Sequence, residues 1–193
     1  MNILIVGVGG QGTLLAGKIL GKYAEIAGLD CKLNEVHGMA QRGGSVVTHV
    51  KMSEKVYSPV IAEGGADVIL AFEVLEAFRY RHFLKKDGVI IVNNREIMPM
   101  PVVIGAAEYP KNMIEIMKTE ANTVAADALA IALEAGSARA VNTVILGIFA
   151  KVKGIPYGDI ERALCLSVKP KILDINKTAL KKGYDIDVSV NEK

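Results

Sequence analysis

Two cysteines, no tryptophan and no long apolar run mark this 193-residue chain before any motif does. Cys31 and Cys165 lie far apart with no second thiol near either. That excludes a zinc or iron–sulfur cage built from this chain's cysteines alone, and both read as small buried hydrophobes. The longest apolar stretch, residues 140–150, is broken by Asn142 and falls well below the ~20 residues that a membrane helix requires. No basic start followed by a longer apolar segment marks the N-terminus as a secretory signal, so the sequence predicts a cytoplasmic protein. Charge of one sign is lacking too: 23 Lys and Arg against 21 Asp and Glu leave a formal +2, no electrostatic case for nucleic acid. Residues 151–193 hold most of the basic excess, nine Lys and Arg against six Asp and Glu, which reads as a solvated face.

What is present is the composition of a folded protein, 51% hydrophobic and 23% charged, at a length that predicts one domain spanning residues 1–193. The first half alternates β-rich runs with helical stretches. This predicts an α/β, Rossmann-like fold: a mainly parallel sheet flanked by helices, with a helical C-terminal third. Strands are expected at 2–6, 33–36, 67–72 and 89–92, with an alternating strand at 45–52 that implies a sheet not purely parallel. Helices are expected at 12–27 and 73–84, with a turn at Lys86-Asp87-Gly88. The proline-punctuated region that follows is read as a short strand at 102–104 and a helix around 113–118. Beyond Asp127 the pattern predicts helices at 127–135 and 139–151 and two more after Pro156 and Pro170. Apolar stripes of those last two, Ile160, Ala163, Leu164 and Val168, then Ile172, Ile175, Ala179 and Leu180, are expected to cover the domain's own sheet.

Two glycine-rich stretches carry the chemistry. The first, GVGGQG from Gly7 to Gly12, sits between the strand Asn2–Val6 and a helix, so it offers a tight turn and free amides at a positive helix end. A dinucleotide would also require an acid about twenty residues on, and Asp30 and Glu35 are the candidates. Gln11 places an amide in the turn, and the motif alone leaves ligand binding and a purely structural turn equally open. The second stretch, HGMAQRGGSVVTHVK from His37 to Lys51, places Arg42 beside Gly43, Gly44 and Ser45 ahead of a strand. A guanidinium there can hold a carboxylate or phosphate through two hydrogen bonds while the glycines let amides approach the same anion. A surface arginine in a turn fits the same residues. His37 and His49 read as structural hydrogen-bonders rather than proton carriers.

Taken in order, GxGGQG after a strand, Gly-Met-x-Gln-Arg-Gly-Gly-Ser-Val leading into a Thr-His-Val strand, and Asn-x-x-x-Leu-Gly at Asn142–Gly147 resemble the small, gamma-type subunit of the 2-oxoacid:ferredoxin oxidoreductases. The Met-Ala-Gln-Arg-Gly-Gly form is most like the beta subunit of the indolepyruvate enzyme. The resemblance runs from residue 1 to about 180.

The resemblance implies a role inside a complex that oxidatively decarboxylates a 2-oxoacid on thiamine diphosphate, passes electrons through [4Fe–4S] clusters to ferredoxin and releases an acyl-CoA. Thiamine diphosphate, magnesium and the clusters are then expected in a larger partner subunit. This chain agrees, having neither a Gly-Asp-Gly motif nor a Cys-x-x-Cys, and is expected to be inactive alone. On the family pattern Gly7, Gly9, Gly10, Gln11 and Gly12 form one turn, Arg42, Gly43, Gly44 and Ser45 a second, with Asn142 nearby. These would bind the phosphates of coenzyme A or face the partner. No catalytic residue and no metal ligand is expected here, and the isolated chain is expected to homodimerise through the apolar surface that a missing partner exposes. Two other readings stand beside it: a free-standing NAD(P)-dependent oxidoreductase, for which no Tyr-x-x-x-Lys pair is present, and an interaction module with empty glycine turns.

Overall fold

The computed structural model describes residues 1–40 and 43–187. Its centre is a six-stranded sheet: β1 (Asn2–Val8), β2 (Asp30–His37), β3 (Ser45–Ser53), β4 (Ala66–Ala71), β5 (Leu84–Asn93) and β6 (Asn122–Ala126). The spatial order is β2-β3-β1-β4-β5-β6. β1, β4, β5 and β6 run parallel, whereas β3 pairs antiparallel with both β1 and β2, so one reversed strand is wedged into an otherwise parallel sheet.

Apolar residues on successive positions of β1 go to opposite faces, as the two-residue period of a strand requires. Ile3 and Ile5 join one core with α1 (Thr13–Ile26), α5 (Ala128–Glu134), α6 (Val141–Val152), α7 (Tyr157–Ser167) and α8 (Leu173–Tyr184). Leu4 and Val6 join the other with α2 (Val74–Tyr80) and α4 (Met113–Glu120). The fold is thus helices on both faces of a mainly parallel sheet, as expected. Beyond residue 127 the described elements are all helical.

Several local expectations are corrected. The strand expected at 102–104 is a short helix, α3 (Met100–Val103): Pro99 caps it in extended geometry and Pro101 sits in its first turn, where a missing N–H costs nothing. The helix expected to reach residue 84 stops at Tyr80 and tightens into a 3₁₀ turn, Arg81–Phe83. The turn at Lys86-Asp87-Gly88 stays inside β5 as an irregularity of register, with Ala66 opposite Leu84 but Val68 opposite Val89, and Asp87 at φ 64°. β6, an Asn-Thr-Val-Ala-Ala segment of weak β character, was not expected at all.

The last two helices do not lie on the sheet. α7 packs on α1 and α8 on α6, forming an outer layer over the helices that touch the strands. Of the second stripe, Ala179 and Leu180 are buried, whereas Ile172 stays 44% exposed. Backbones touch where α6 and α8 cross: a Cβ on Gly147 would lie 2.3 Å from the Leu180 carbonyl oxygen, and one on Gly183 2.2 Å from that of Val144. Both cysteines are free and half-buried rather than buried.

Candidate functional site

Both glycine stretches end up at the carboxyl edge of the parallel strands, the edge where open α/β sheets gather ligands. In the first, β1 ends and the chain must reverse into α1 within a few residues. Gly10 and Gly12 take left-handed conformations, φ 101° and 84°, that an L side chain rarely adopts. Gln11 is folded back into the turn: its Oε1 accepts the Val8 N–H at 2.8 Å and its Nε2 donates to the Phe72 carbonyl at 3.1 Å, tying the turn to the end of β4. Gly7 leaves room for that amide, since a Cβ there would stand 2.7 Å from Gln11 Oε1. The Gln11 side chain is therefore spent inside the protein.

The second stretch comes back onto the first. The Gly9 N–H donates to the Gly44 carbonyl at 2.8 Å and the Gly43 N–H to the Gly9 carbonyl at 3.4 Å, while Val8 faces Ser45 in the β1–β3 ladder. Gly43 is left-handed at φ 76°, and a Cβ on Gly44 would press to 2.8 Å from the Ala40 carbonyl. Asn142, only 2% exposed at the start of α6, donates from Nδ2 to the Gly12 carbonyl at 3.2 Å. Gly7, Gly9, Gly10, Gln11, Gly12, Gly43, Gly44, Ser45 and Asn142 are thus one connected corner. Gln41 and Arg42 lie outside the described residues.

Among the described residues no side chain caps α1, whose N-cap is Gly12, which leaves its first amides available to an anion. Beside them a depression of about 440 Å³ is lined by Gly9, Gly10, Gly12, Thr13, Glu35 and His37 among others. Its floor is fixed: Glu35 Oε2 accepts from Thr13 Oγ1 and Thr48 Oγ1, each at 3.0 Å.

This strand order differs from that of a dinucleotide-binding fold. There the strand bearing the ribose-binding acid lies next to β1; here β3 occupies that position and β2 with Glu35 is displaced by one further strand, about 10 Å from β1 at ~4.8 Å per strand. Glu35 also has two hydroxyl donors already.

The two histidines of the second stretch sit in different surroundings. His49, 8% exposed, accepts the Ile61 N–H on Nδ1 at 3.2 Å and packs edge-on to Phe83. Burial lowers its pKa. His37 is exposed, with Nδ1 2.8 Å from the Gly38 carbonyl.

The motifs gave no sign of two acids directly beneath the corner. Glu73 and Glu76 are 1% and 3% exposed on the first turn of α2. Glu73 caps that helix, accepting the Leu75 N–H at 3.1 Å and the Glu76 N–H. Burial, with a smaller push from Glu76, raises its pKa to about 7 against the pull of those N–H bonds. Glu76 Oε2 accepts the Ser45 hydroxyl, with Tyr80 Oη 3.5 Å from Ser45 Oγ. The signal that could have found them is an acid immediately after the buried run DVILAF, where the chain leaves the sheet at its ligand edge.

Four thiolates are needed for an iron–sulfur cluster and the sequence has two cysteines; among the described residues no three His, Cys, Asp or Glu side chains converge on a metal position.

Comparison with known proteins agrees with the motif pattern. The chain matches the pyruvate ferredoxin/flavodoxin oxidoreductase family over residues 2–186. It is 43% identical to the indolepyruvate oxidoreductase subunit IorB of Archaeoglobus fulgidus, over 98% of this chain and 96% of that one. It is 42% identical to the IorB subunit of Thermococcus kodakarensis, over 94% and 93%. Among solved structures, the gamma subunit of a keto/oxoacid ferredoxin oxidoreductase from Geobacter sulfurreducens superposes with a TM-score of 0.70 at 25% identity, covering 95% of each chain.

Proposed function

We infer the function of this chain from the family to which it belongs, the pyruvate ferredoxin/flavodoxin oxidoreductases: it is the small subunit of a 2-oxoacid:ferredoxin oxidoreductase. Its substrate class follows the IorB relatives, indolepyruvate or a related 2-oxoacid, oxidised to an acyl-CoA in the cytoplasm with ferredoxin as electron acceptor. The [4Fe–4S] clusters belong to the larger partner, since this chain has too few thiols to carry one, and thiamine diphosphate with magnesium is assigned there too, since this chain lacks a Gly-Asp-Gly motif. The reaction therefore runs only in the assembled complex. Exposed Met98, Met100, Val103 and Ile104, on the segment that follows β5, support a chain whose edge is covered by another subunit.

For the corner itself we assign coenzyme A. The observation that carries this is the convergence of three motifs, separated by up to 130 residues, on the uncapped N-terminus of α1: Gly9 bonds Gly43 and Gly44, and Asn142 bonds Gly12. Such a corner presents backbone amides without intervening side chains, which suits the phosphates of an acyl carrier. Gly10, Gly12 and the first amides of α1 would hold them, with Arg42 as the sequence-assigned cation.

The test is to capture this chain with its partners from the native host under anaerobic conditions, then to reconstitute the complex with Arg42→Ala or Gly10→Ala. A large thiamine- and cluster-bearing partner, with the KM for coenzyme A raised about tenfold in the variants, is expected. A solitary protein carrying nicotinamide overturns the subunit reading; unchanged assembly and unchanged KM overturn the coenzyme A assignment.

A further inference from the structure

The pair of buried acids under the glycine corner has no part in the function just assigned. Two carboxyl groups within one helical turn, each at most 3% exposed, are costly to keep unless they do something that neutral residues would not. Their hydrogen bonds divide the work. Glu73 faces its own helix, accepting the first amides of α2. Glu76 faces across to the second glycine stretch and accepts the hydroxyl of Ser45.

Ser45 is the hinge of that stretch. It is the first residue of β3, it stands opposite Val8 in the ladder, and it directly follows Gly44, whose carbonyl accepts the Gly9 N–H. Fixing Ser45 therefore fixes the point where the loop leaves the sheet, and with it the Gly43 and Gly44 peptides above the first turn. Other polar groups surround the pair without displacing this bond. Arg79 Nη1 lies 3.5 Å from Glu76 Oε1 from a half-exposed position, and Tyr80 Oη stands at the far side of Ser45. Tyr109 Oη is buried with no hydrogen-bond partner among the described residues, its pKa raised by burial and by the charges of Glu73 and Glu96.

We propose that Glu76 is a positioning residue for the ligand-facing corner: through Ser45 it holds the second glycine stretch against the first, where Gly9 and Gly43 bond across, so that the first turn keeps its Gly10, Gly12 and α1 amides aimed at one anion. Ser45 is then a strut of the site, and its hydroxyl is turned toward the protein rather than toward the ligand. The inference rests on the coenzyme A reading for its kinetic consequence, but its structural half stands alone.

The two halves are measured separately. In the isolated full chain, amide hydrogen exchange at Gly9 and Gly43 is followed in wild type, Ser45→Ala, Glu76→Ala and Glu76→Gln. In the reconstituted complex, KM for coenzyme A and kcat are measured for the same set. Exchange at those two amides is expected to rise at least tenfold in Ser45→Ala and Glu76→Ala, with the β4 and β5 amides unchanged. KM is expected to rise about tenfold at constant kcat. Glu76→Gln, which keeps an oxygen for Ser45, restores both. Exchange unchanged at Gly9 and Gly43, or raised equally throughout the sheet, overturns the positioning role. Exchange raised locally while KM stays flat in every variant, Gly10→Ala included, sinks the coenzyme A reading and leaves the positioning role standing. Should Glu76→Ala not fold, Ser45→Ala removes the same bond from the half-buried side and decides the matter.

Discussion

Asn142 and Gly12, 130 residues apart, meet in a single hydrogen bond: Asn142 Nδ2 donates to the Gly12 carbonyl at 3.2 Å. The same nitrogen stands 2.5 Å from where a Cβ on Gly12 would be, so the contact requires this glycine and this asparagine together. It is the point at which the helical third of the chain takes hold of the first turn.

Asn142→Ala should therefore cost about 1–3 kcal/mol, the range for removing a buried hydrogen-bonding partner. Its Oδ1, which accepts the Thr143 N–H at 2.9 Å, is lost with it. Gly12→Ala should cost at least as much, adding left-handed strain of roughly 1–2 kcal/mol to the collision. Denaturant midpoints measure both. Because the two changes remove one contact, the double variant should be less destabilised than the sum of the singles.

Gln11→Ala separates a structural turn from a ligand-binding one. The side chain bonds Val8 and Phe72 within the fold, so the variant should lose about 1–3 kcal/mol of stability. Once folded and assembled with its partner, it should keep its KM for coenzyme A within twofold. A KM change without a stability change would mean that the Gln11 amide faces the ligand.

Glu73 should make stability fall as pH rises. Its folded pKa, about 7, lies above the ordinary 4.5, so the native chain binds more protons than the unfolded one between those values. The contribution is fully present below about pH 4.5 and is lost as pH climbs through 7, up to roughly 3 kcal/mol at 1.36 kcal/mol per pKa unit. Thermal melts from pH 4.5 to 8 should show this slope in wild type and a flatter one in Glu73→Gln.

Glycines of this chain should answer oppositely to alanine. Gly147→Ala drives a methyl into the α8 backbone where the helices cross, and should cost about 1–3 kcal/mol or more. Gly21, in the middle of α1, has open space where a methyl would go, with nothing within 4 Å. As alanine it should instead gain about 0.5–1 kcal/mol, the helix-propensity difference. Equal effects at the two sites would mean that α6 and α8 do not touch as closely as the backbone distances require.

Much of the molecule is written locally. Strand β1, its glycine turn and α1 follow from an apolar β-rich run, a Gly-x-Gly-x-x-Gly break and a 3.6-residue periodicity, each a property of neighbouring residues. The mainly parallel sheet, a strand at 45–52 that makes it not purely parallel, the helical last third and the family pattern of glycines were legible for the same reason. The family pattern also picked out Asn142 without saying what it touches.

Tertiary structure alone decided the rest. Whether Glu35 could reach a ribose depended on which strand lies beside β1, and strand order is set by packing and connection over tens of residues. The helix in place of a strand at 100–103, the weak strand β6 and the outer layer of α7 and α8 likewise depended on what each segment packs against. So did the burial of Glu73 and Glu76, for an acid in sequence carries no mark of how much water it keeps. Local dihedral preferences and periodicity act within a few residues, whereas desolvation and the Asn142–Gly12 and Ser45–Glu76 hydrogen bonds exist only once distant segments are brought together.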